Sequence, residues 1–356
     1  MRILYGVQAT GNGHITRARS MAPCLEAEGA KVDYLFSGRP ADQLFDMTPF
    51  GTYQLRQGLS FSVKRGRMQT LKTLQQANLR RLHRDIDALD TSRYDLVLTD
   101  FEPVTAWAAR RNKTPCIGVG HQYAFSHDIP KAEGNLISHA IMRWFAPADI
   151  ALGSHWYHFN APILPPLIPE EPEVMLPPGG RDQVLVYLPF EDSDWVIATL
   201  RQLERYQFHL FCADKAPGQY GNVHVYPFGR ATFQARLRQC PSVICGAGFE
   251  LTSEALNLGK RILVKPVRGQ MEQASNGLAL QVLGLGSVLR RLEAAPIGEF
   301  LEHALPARVR YPDVAAALSR WLVAGDWSDP AALAESLWEQ VDMPEVSDLP
   351  MHSFAL

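Results

Sequence analysis

Short apolar runs alternate with longer amphipathic segments along most of the chain. In the first such unit, apolar runs at residues 2–8 and 31–37 flank residues 17–28, where Ala18, Met21 and Leu25 follow helical spacing. This alternation predicts a β-strand, an α-helix and a second β-strand. Because such a crossover joins parallel strands, the pattern predicts a parallel sheet covered by helices.

The strand–helix pattern occurs in two series, separated by a proline-rich stretch. It therefore predicts an α/β protein with two doubly wound, Rossmann-like domains facing a cleft. The prolines between positions 162 and 178 are typical of a semi-rigid linker. The predicted limits are 1–160 for the first domain, 161–180 for the linker, 181–325 for the second domain and 326–356 for a C-terminal helical segment.

The second series contains a glycine turn between a predicted strand and a predicted helix. Gly246 and Gly248 let the backbone turn tightly and let a ligand approach it closely. The helix opens near Phe249, where unpaired N–H groups and a dipole of about half a charge favour an anion. The turn therefore predicts a phosphate site, although glycines at such a turn also serve packing alone.

Polar side chains follow this turn in an order that suits a nucleotide sugar. Thr252 and Ser253 are predicted to add hydroxyl donors to the phosphate, and Glu254 to accept hydrogen bonds from ribose hydroxyls. After the next strand come groups suited to a sugar ring: Gln270, Glu272, Gln273 and Asn276.

The ends of the first-domain strands carry the candidate catalytic groups, because ligands of such sheets bind outside those ends. Gly11 and Gly13 precede His14, and the following strands end at Arg39, Asp100, Glu102 and His121. Histidine titrates near neutrality, so His14 is the first candidate for a general base. Asp100 is the alternative base or the carboxylate that orients His14, or it caps a helix. Glu102, His121 and Arg39 are candidates on the acceptor side.

A dinucleotide-binding site is the first competing interpretation of the loop at residues 11–13. That site needs a third small residue where Thr16 stands, and an acidic residue after the second strand, where Arg39 follows instead. Both departures weigh against a nicotinamide or flavin cofactor. No Asp-x-Asp motif stands at a suitable strand end, so no metal is expected either.

Composition excludes several other classes of protein. The 356 residues carry a net charge of −2 with no basic tail or stripe, so nucleic acid is not an expected partner. The five scattered cysteines indicate buried thiols in a reducing compartment. With no signal-peptide pattern and no apolar run long enough to span a bilayer, we expect a cytoplasmic protein.

Two motifs, in this order, resemble the glycosyltransferases of the two-domain GT-B fold, and within them the MurG-like group (glycosyltransferase family 28-like). They are Gly11-x-Gly13-His14 and the run from Gly246-Ala-Gly248 to Gly269-Gln-x-Glu-Gln273-x-x-Asn276. The resemblance implies a nucleotide-sugar donor, most often a UDP sugar, and transfer with inversion. It implies that Phe228 or Arg230 lies by the base and that the last helix returns to the first domain. Arg17 stands where that group often has proline, so its role stays open.

MurG-like enzymes act on lipid-linked acceptors, which makes peripheral contact with the inner membrane face an expectation. The apolar segment at residues 137–145 and the basic segment at residues 57–89, predicted helical, are the candidate surfaces. Core packing is the default interpretation of the apolar segment, and a solvated face is the favoured interpretation of the basic segment.

Two rival functions fit parts of the pattern. A nucleotide-sugar epimerase or hydrolase shares the fold and uses several cleft carboxylates, for which Asp100 and Glu102 are available. A non-catalytic nucleotide-sugar-binding protein needs the site at residues 246–276 but no base in the first domain.

Overall fold

The computed structural model describes residues 1–59, 63–64, 66–68, 78–134, 136–168 and 180–344. Residues 169–179 of the predicted linker and residues 345–356 of the predicted C-terminal segment lie outside these ranges. The domain limits therefore stay a prediction.

Six parallel strands form the first sheet, in the order β3-β2-β1-β6-β7-β8. The strands of this part of the chain are β1 (Arg2–Gln8), β2 (Lys31–Ser37), β3 (Tyr53–Arg56), a separate hairpin of β4 (Val63–Lys64) and β5 (Arg67–Met68), then β6 (Leu96–Asp100), β7 (Cys116–Gly120) and β8 (Ile150–Gly153). The chain reverses its winding direction between β1 and β6. A crevice opens at such a point, and the loops after β1 and β6 line it.

Seven strands form the second sheet, in the order β11-β12-β10-β9-β13-β14-β15, and only β11 is antiparallel to its neighbour. They are β9 (Gln183–Tyr187), β10 (Gln207–Phe211), β11 (Gly218–Tyr220), β12 (Val223–Tyr226), β13 (Ser242–Cys245), β14 (Arg261–Val264) and β15 (Ser287–Val288). Here the winding reverses between β9 and β13, and the glycine turn follows β13. The prediction of an α/β protein with two doubly wound sheets is confirmed.

Helices connect the strands and cover the sheets. They are α1 (Asn12–Ala27), α2 (Leu79–Asp87), α3 (Pro103–Asn112), α4 (Leu136–Trp144), α5 (Ser193–Leu200), α6 (Arg230–Gln239), α7 (Phe249–Asn257), α8 (Met271–Val282), α9 (Ala294–Leu301), α10 (Val314–Ala324) and α11 (Pro330–Trp338). None of those in the described ranges is long and apolar enough to cross a membrane.

The first sheet shares its core with helices from the far end of the chain. Leu318 and Leu322 of α10 and Leu337 of α11 are buried in one cluster with Met21 and Leu25 of α1. This apolar contact joins the end of the described chain to its beginning and holds α1, which carries His14, from its outer side.

The prediction of a helix over residues 57–89 is wrong for most of the residues in this range that the structure describes. The chain forms the β4–β5 hairpin there, and a helix only over Leu79–Asp87. Gly66 turns the hairpin at φ +66°, in the left-handed region that glycine tolerates best. Its backbone carbonyl accepts a 2.8 Å hydrogen bond from the Arg268 N–H of the second sheet's loops. A long-range tertiary contact therefore accompanies the hairpin, where local propensity predicted a helix.

Candidate active site between the two sheets

Gly246 and Gly248 leave room at the turn after β13. Gly248 has φ −74° and ψ 142°, angles open to any residue, and Gly246 is not in the left-handed region either. A Cβ at Gly248 meets no heavy atom of the described residues within 4 Å, and one at Gly246 lies 3.6 Å from Gln273. The turn therefore does not need glycine at these positions for a left-handed backbone. What they provide is open space beside the backbone.

Helix α7 begins directly after that space. Among the described residues, no side chain caps its first turn. Its first residue, Phe249, is buried and stacks on His121, with ring centroids 4.1 Å apart. The first N–H groups and the positive end of the dipole therefore face the opening beside Gly248, as an anion site requires.

Thr252 and Ser253 do not offer their hydroxyls to this opening, and their predicted role at the phosphate is corrected here. Both are fully buried, and they donate to the carbonyls of Gly248 and Phe249, each over 2.8 Å. The Ser253 hydroxyl also accepts a 2.8 Å hydrogen bond from Trp156 Nε1. Such bonding within a helix is an ordinary use of these residues.

The loop between β14 and α8 is held by the polar groups predicted to bind sugar. Gln273 accepts a 2.9 Å hydrogen bond from the Val267 N–H, and Asn276 donates to the Ala247 carbonyl over 2.9 Å. These two buried side chains therefore shape the loop. Gln270 and Glu272 stay partly exposed beside it. Glu254, one turn into α7, is also partly exposed and accepts from Gln234 over 2.8 Å.

His14 and Asp100 meet at the crevice of the first sheet. Nδ1 of His14 lies 2.6 Å from Oδ1 of Asp100, and the fully buried Asp100 also receives two hydrogen bonds from Arg17, of 2.7 and 2.8 Å. Burial raises the pKa of Asp100, but the charges of Arg17 and His14 outweigh it and leave the pKa lowered. Asp100 is therefore ionised and can only accept.

It follows that Nδ1 of His14 carries a proton and Nε2 of a neutral ring carries the lone pair. The His14 side chain is 13% exposed, and Nε2 has no hydrogen-bond partner among the described residues. A ring held in this tautomer with one open nitrogen is equipped to accept a proton. Of the alternatives for Asp100, the geometry fits the carboxylate that orients His14.

Glu102 caps a helix, so its predicted place on the acceptor side is wrong. Its carboxylate is completely buried and accepts from the N–H groups of Val104 and Thr105 and from the Ser37 hydroxyl, over 2.6 to 2.9 Å. Burial raises the pKa of Glu102 in spite of these bonds. The capping role considered for Asp100 thus belongs to Glu102, two residues later.

Arg39 and His121 also hold other parts of the protein. Arg39 donates to Asn12 Oδ1 and to the Thr10 carbonyl, each over 2.9 Å, and so supports the glycine loop from behind. His121 is buried between the Ser154 carbonyl at 2.8 Å and Asn276 at 2.6 Å, where burial lowers its pKa. The predicted acceptor-side role of His121 is therefore corrected to a link between the two sheets.

The sequence interpretation left Arg17 open and missed Glu250. The buried Arg17 guanidinium holds Asp100 and, through Nη1, the Glu250 carboxylate in the first turn of α7. A Cβ at Gly13 would lie 2.7 Å from Glu250 Cγ, so this glycine lets the two sheets' loops approach closely. The sequence did carry a signal for this contact: Glu250 lies inside the predicted phosphate site, and its negative charge there requires a proton or a cationic partner.

Phe228 and Arg230, predicted beside the base, lie at the start of α6. Phe228 is 40% exposed and its ring packs edge-on to Tyr187, with centroids 5.9 Å apart. Tyr187 in turn accepts a 3.3 Å hydrogen bond from Asn12 of the glycine loop.

In the described part of the chain, no three His, Cys, Asp or Glu side chains cluster as a metal site would require. The independence from metals and cofactors stays a prediction.

Comparison with solved structures supports the architecture. The spinosyn rhamnosyltransferase SpnG has a TM-score of 0.58, with 16% identity over 95% of this chain and 100% of its own. Arabidopsis thaliana UGT89C1, complexed with UDP, has a TM-score of 0.57 with 14% identity over 95% and 98%. The glycosyltransferase SsfS6 of Streptomyces sp. SF2575, complexed with thymidine diphosphate, has 0.54 with 15% identity over 95% and 94%. Likeness at such low identity shows a shared GT-B fold.

No curated protein matches the chain. The family model described as Glycosyl transferase family 1 matches residues 1–306, which is most of the chain. That match covers both sheets and both sides of the crevice. The chain is therefore a glycosyltransferase that belongs to Glycosyl transferase family 1.

Proposed function

We propose that this protein transfers a sugar from a nucleoside diphosphate sugar to an acceptor hydroxyl, with inversion at the anomeric carbon. The donor diphosphate binds at the start of α7, and the acceptor binds on the side of the first sheet. The observation that carries the proposal is the uncapped helix start beside Gly248, joined by one guanidinium, that of Arg17, to the His14–Asp100 pair.

The donor half rests on hydrogen bonds to charged oxygens. Backbone N–H groups at the start of α7 stabilise the leaving diphosphate, and each such bond contributes about 1.5–3 kcal/mol. Glu254, partly exposed one turn later, is proposed to accept from the ribose, with Gln270 and Glu272 beside the sugar. Phe228, exposed at the edge, is proposed to pack on the base.

The catalytic half rests on the tautomer of His14. Nε2 takes the proton of the acceptor hydroxyl while the acceptor oxygen bonds to the anomeric carbon. The bond from that carbon to the diphosphate oxygen breaks, and the electron pair leaves with the diphosphate. Asp100 keeps Nδ1 protonated and stabilises the imidazolium that forms. A single displacement of this kind inverts the anomeric centre.

UDP and TDP sugars are the first donors to test. The two related structures contain UDP and thymidine diphosphate, and the resemblance to MurG-like enzymes favours UDP. A thermal-shift screen of UDP, TDP, GDP, ADP and their sugar conjugates separates them, because a ligand at 100 times its Kd stabilises the protein by about 2.7 kcal/mol. If no nucleoside diphosphate shifts the melting temperature, the proposal is wrong.

The epimerase alternative loses one of its two candidate carboxylates, because Glu102 caps α3. Incubating the protein with the donor alone tests the remaining possibility that it is an epimerase. We expect the sugar of the recovered donor to keep its configuration at every ring carbon. A new epimer, formed without acceptor, would replace transfer with epimerisation.

A lipid-linked acceptor and contact with the membrane face are the least constrained part of the proposal. Trp144 at the end of α4 exposes 51% of its surface, and the Arg143 guanidinium lies 5.2 Å from its ring centroid. An exposed aromatic ring beside a cation suits an anionic lipid surface. Sedimentation with vesicles containing an anionic lipid, for the parent and Trp144→Ala, tests this part alone.

A further inference from the structure

Glu250 places a carboxyl group inside the proposed diphosphate site, which is unfavourable unless the group serves the ligand. It is the second residue of α7, and the residue is only 8% exposed. An ionised carboxylate there would repel the diphosphate at close range. Either the side chain leaves when the donor binds, or it binds the donor in its protonated form.

The two carboxyl oxygens of Glu250 differ in their contacts. Oε1 accepts from Nη1 of Arg17, whereas Oε2 is buried with no hydrogen-bond partner among the described residues. This difference suits a protonated group, whose carbonyl oxygen accepts from Arg17 and whose hydroxyl is left to donate. A buried donor without a partner is costly, so a ligand that supplies an acceptor gains affinity.

Packing gives Glu250 little room to move away. Its Cγ lies against the glycine loop, where a Cβ at Gly13 would approach it to 2.7 Å. Arg17 is itself fixed by both oxygens of Asp100. The structure thus favours a side chain that stays in the site.

We propose that Glu250 is a proton-carrying binding residue for the donor: its Oε2 hydroxyl donates a hydrogen bond to a diphosphate oxygen, and it takes up a proton when the donor binds at alkaline pH. The inference rests on the proposed function and adds a residue to the same site. It makes donor affinity depend on the proton at one identified carboxyl group.

The surrounding charges agree with this assignment. Burial raises the pKa of Glu250 to about 8, although the charge of Arg17 on α1 opposes the shift. The carboxylates of Asp100 at the end of β6, Glu254 on α7 and Glu272 on α8 raise it further. The buried Tyr5 phenol on β1 also senses the charge of Glu250, which contributes to the raised pKa of Tyr5. A bound diphosphate adds more negative charge and raises the pKa again.

Proton uptake can be measured directly by titrating the protein with UDP and TDP in buffers of different ionisation enthalpy. With a pKa of about 8 before binding, we expect uptake of roughly half a proton or more at pH 8.5 and about a tenth at pH 7. The affinity falls roughly five- to tenfold between pH 7.5 and 9. This range lies above the ionisation of a terminal phosphate, near pH 6.

Variants assign the proton to one residue. Glu250→Gln keeps a donor in place, so it binds within about threefold of the parent at pH 7 and takes up no proton at pH 8.5. Glu250→Ala lacks the donor and binds roughly tenfold more weakly at pH 7. Glu254→Gln removes the same charge one turn later; it keeps the proton uptake, with the profile moved to lower pH. Melting temperatures confirm that each variant is folded.

The possible outcomes separate the two proposals. If UDP or TDP binds without proton uptake at pH 8.5, or if the uptake persists in Glu250→Gln, the assignment of Glu250 is wrong and the donor site stands. If no nucleoside diphosphate binds the parent at any pH, the proposed function is wrong and the role of Glu250 is wrong with it.

Discussion

Replacing His14 by alanine tests the catalytic half of the site most sharply. The His14 ring is held by a 2.6 Å contact between Nδ1 and Asp100 Oδ1, so its Nε2 is pre-positioned as a base. A general base contributes roughly 10²–10⁴ in rate, which corresponds to about 3–5 kcal/mol of activation free energy. We expect kcat to fall by that factor, while the Kd for the nucleotide changes less than about threefold.

Release of the nucleoside diphosphate provides the assay, with water as acceptor until the natural acceptor is identified. His83→Ala is the matched control, because His83 is exposed on α2 and its Nδ1 lies 3.3 Å from the Leu79 carbonyl of the same helix. Asp100→Asn should slow turnover to a similar extent, and the double variant should be no slower than His14→Ala, because the two residues act as one unit. A His14→Ala enzyme with near-normal turnover would refute the reasoning.

Three further predictions concern the second sheet. Gly248→Ala should leave the melting temperature unchanged, since the added Cβ meets nothing within 4 Å among the described residues. It should weaken nucleotide binding at least tenfold, because the methyl group fills the space beside the helix start. An unchanged Kd for the nucleotide contradicts this prediction. Glu254→Ala should weaken nucleotide binding and leave the fold intact, and calorimetry with equal affinities would remove it from the ribose site. Glu250→Gln should gain stability relative to the parent as pH rises. Burial raises the folded pKa of Glu250 to about 8, so the stability that its proton contributes is present below the unfolded pKa of about 4.3 and is lost as pH rises through the folded pKa. The difference in melting temperature between variant and parent should therefore grow from pH 5.5 to pH 8.5, and a constant difference contradicts the shift.

The arrangement of strands and helices was predictable because it follows from local pattern. Apolar runs and helical spacing give the βα order, and the carboxyl ends of parallel strands then bring His14 and Asp100 to one crevice. The basic segment at residues 57–89 was not predictable in this way. Its hairpin is hydrogen-bonded through Gly66 to Arg268, about two hundred residues away along the chain, and local pattern does not reveal such a contact.

The roles of individual polar side chains were harder to predict than their positions. Asp100 ends β6 and Glu102 comes two residues later, and the sequence does not say which one caps α3 and which one faces the crevice. Thr252 and Ser253 look like ligand donors in sequence, but the rotation of α7 buries them. These outcomes depend on side-chain direction, which a motif does not specify.

The hydrogen bond from Arg17 to Glu250 joins parts of the chain that belong to different sheets. The sequence indicates that an acidic residue in the predicted phosphate site needs a partner, but not that Arg17 is this partner. Each residue has an ordinary local explanation, as a helical arginine and as an acidic residue in a first helical turn. Only their meeting across the crevice shows that the proposed base and the proposed phosphate site share one guanidinium.

A crystal soaked with UDP or TDP tests the central claim most directly. We predict diphosphate oxygens about 2.7–3.2 Å from the N–H groups at the start of α7, in the space beside Gly248, with His14 facing the anomeric side. A nucleotide bound elsewhere, or a diphosphate that leaves these N–H groups without contact, would contradict the claim.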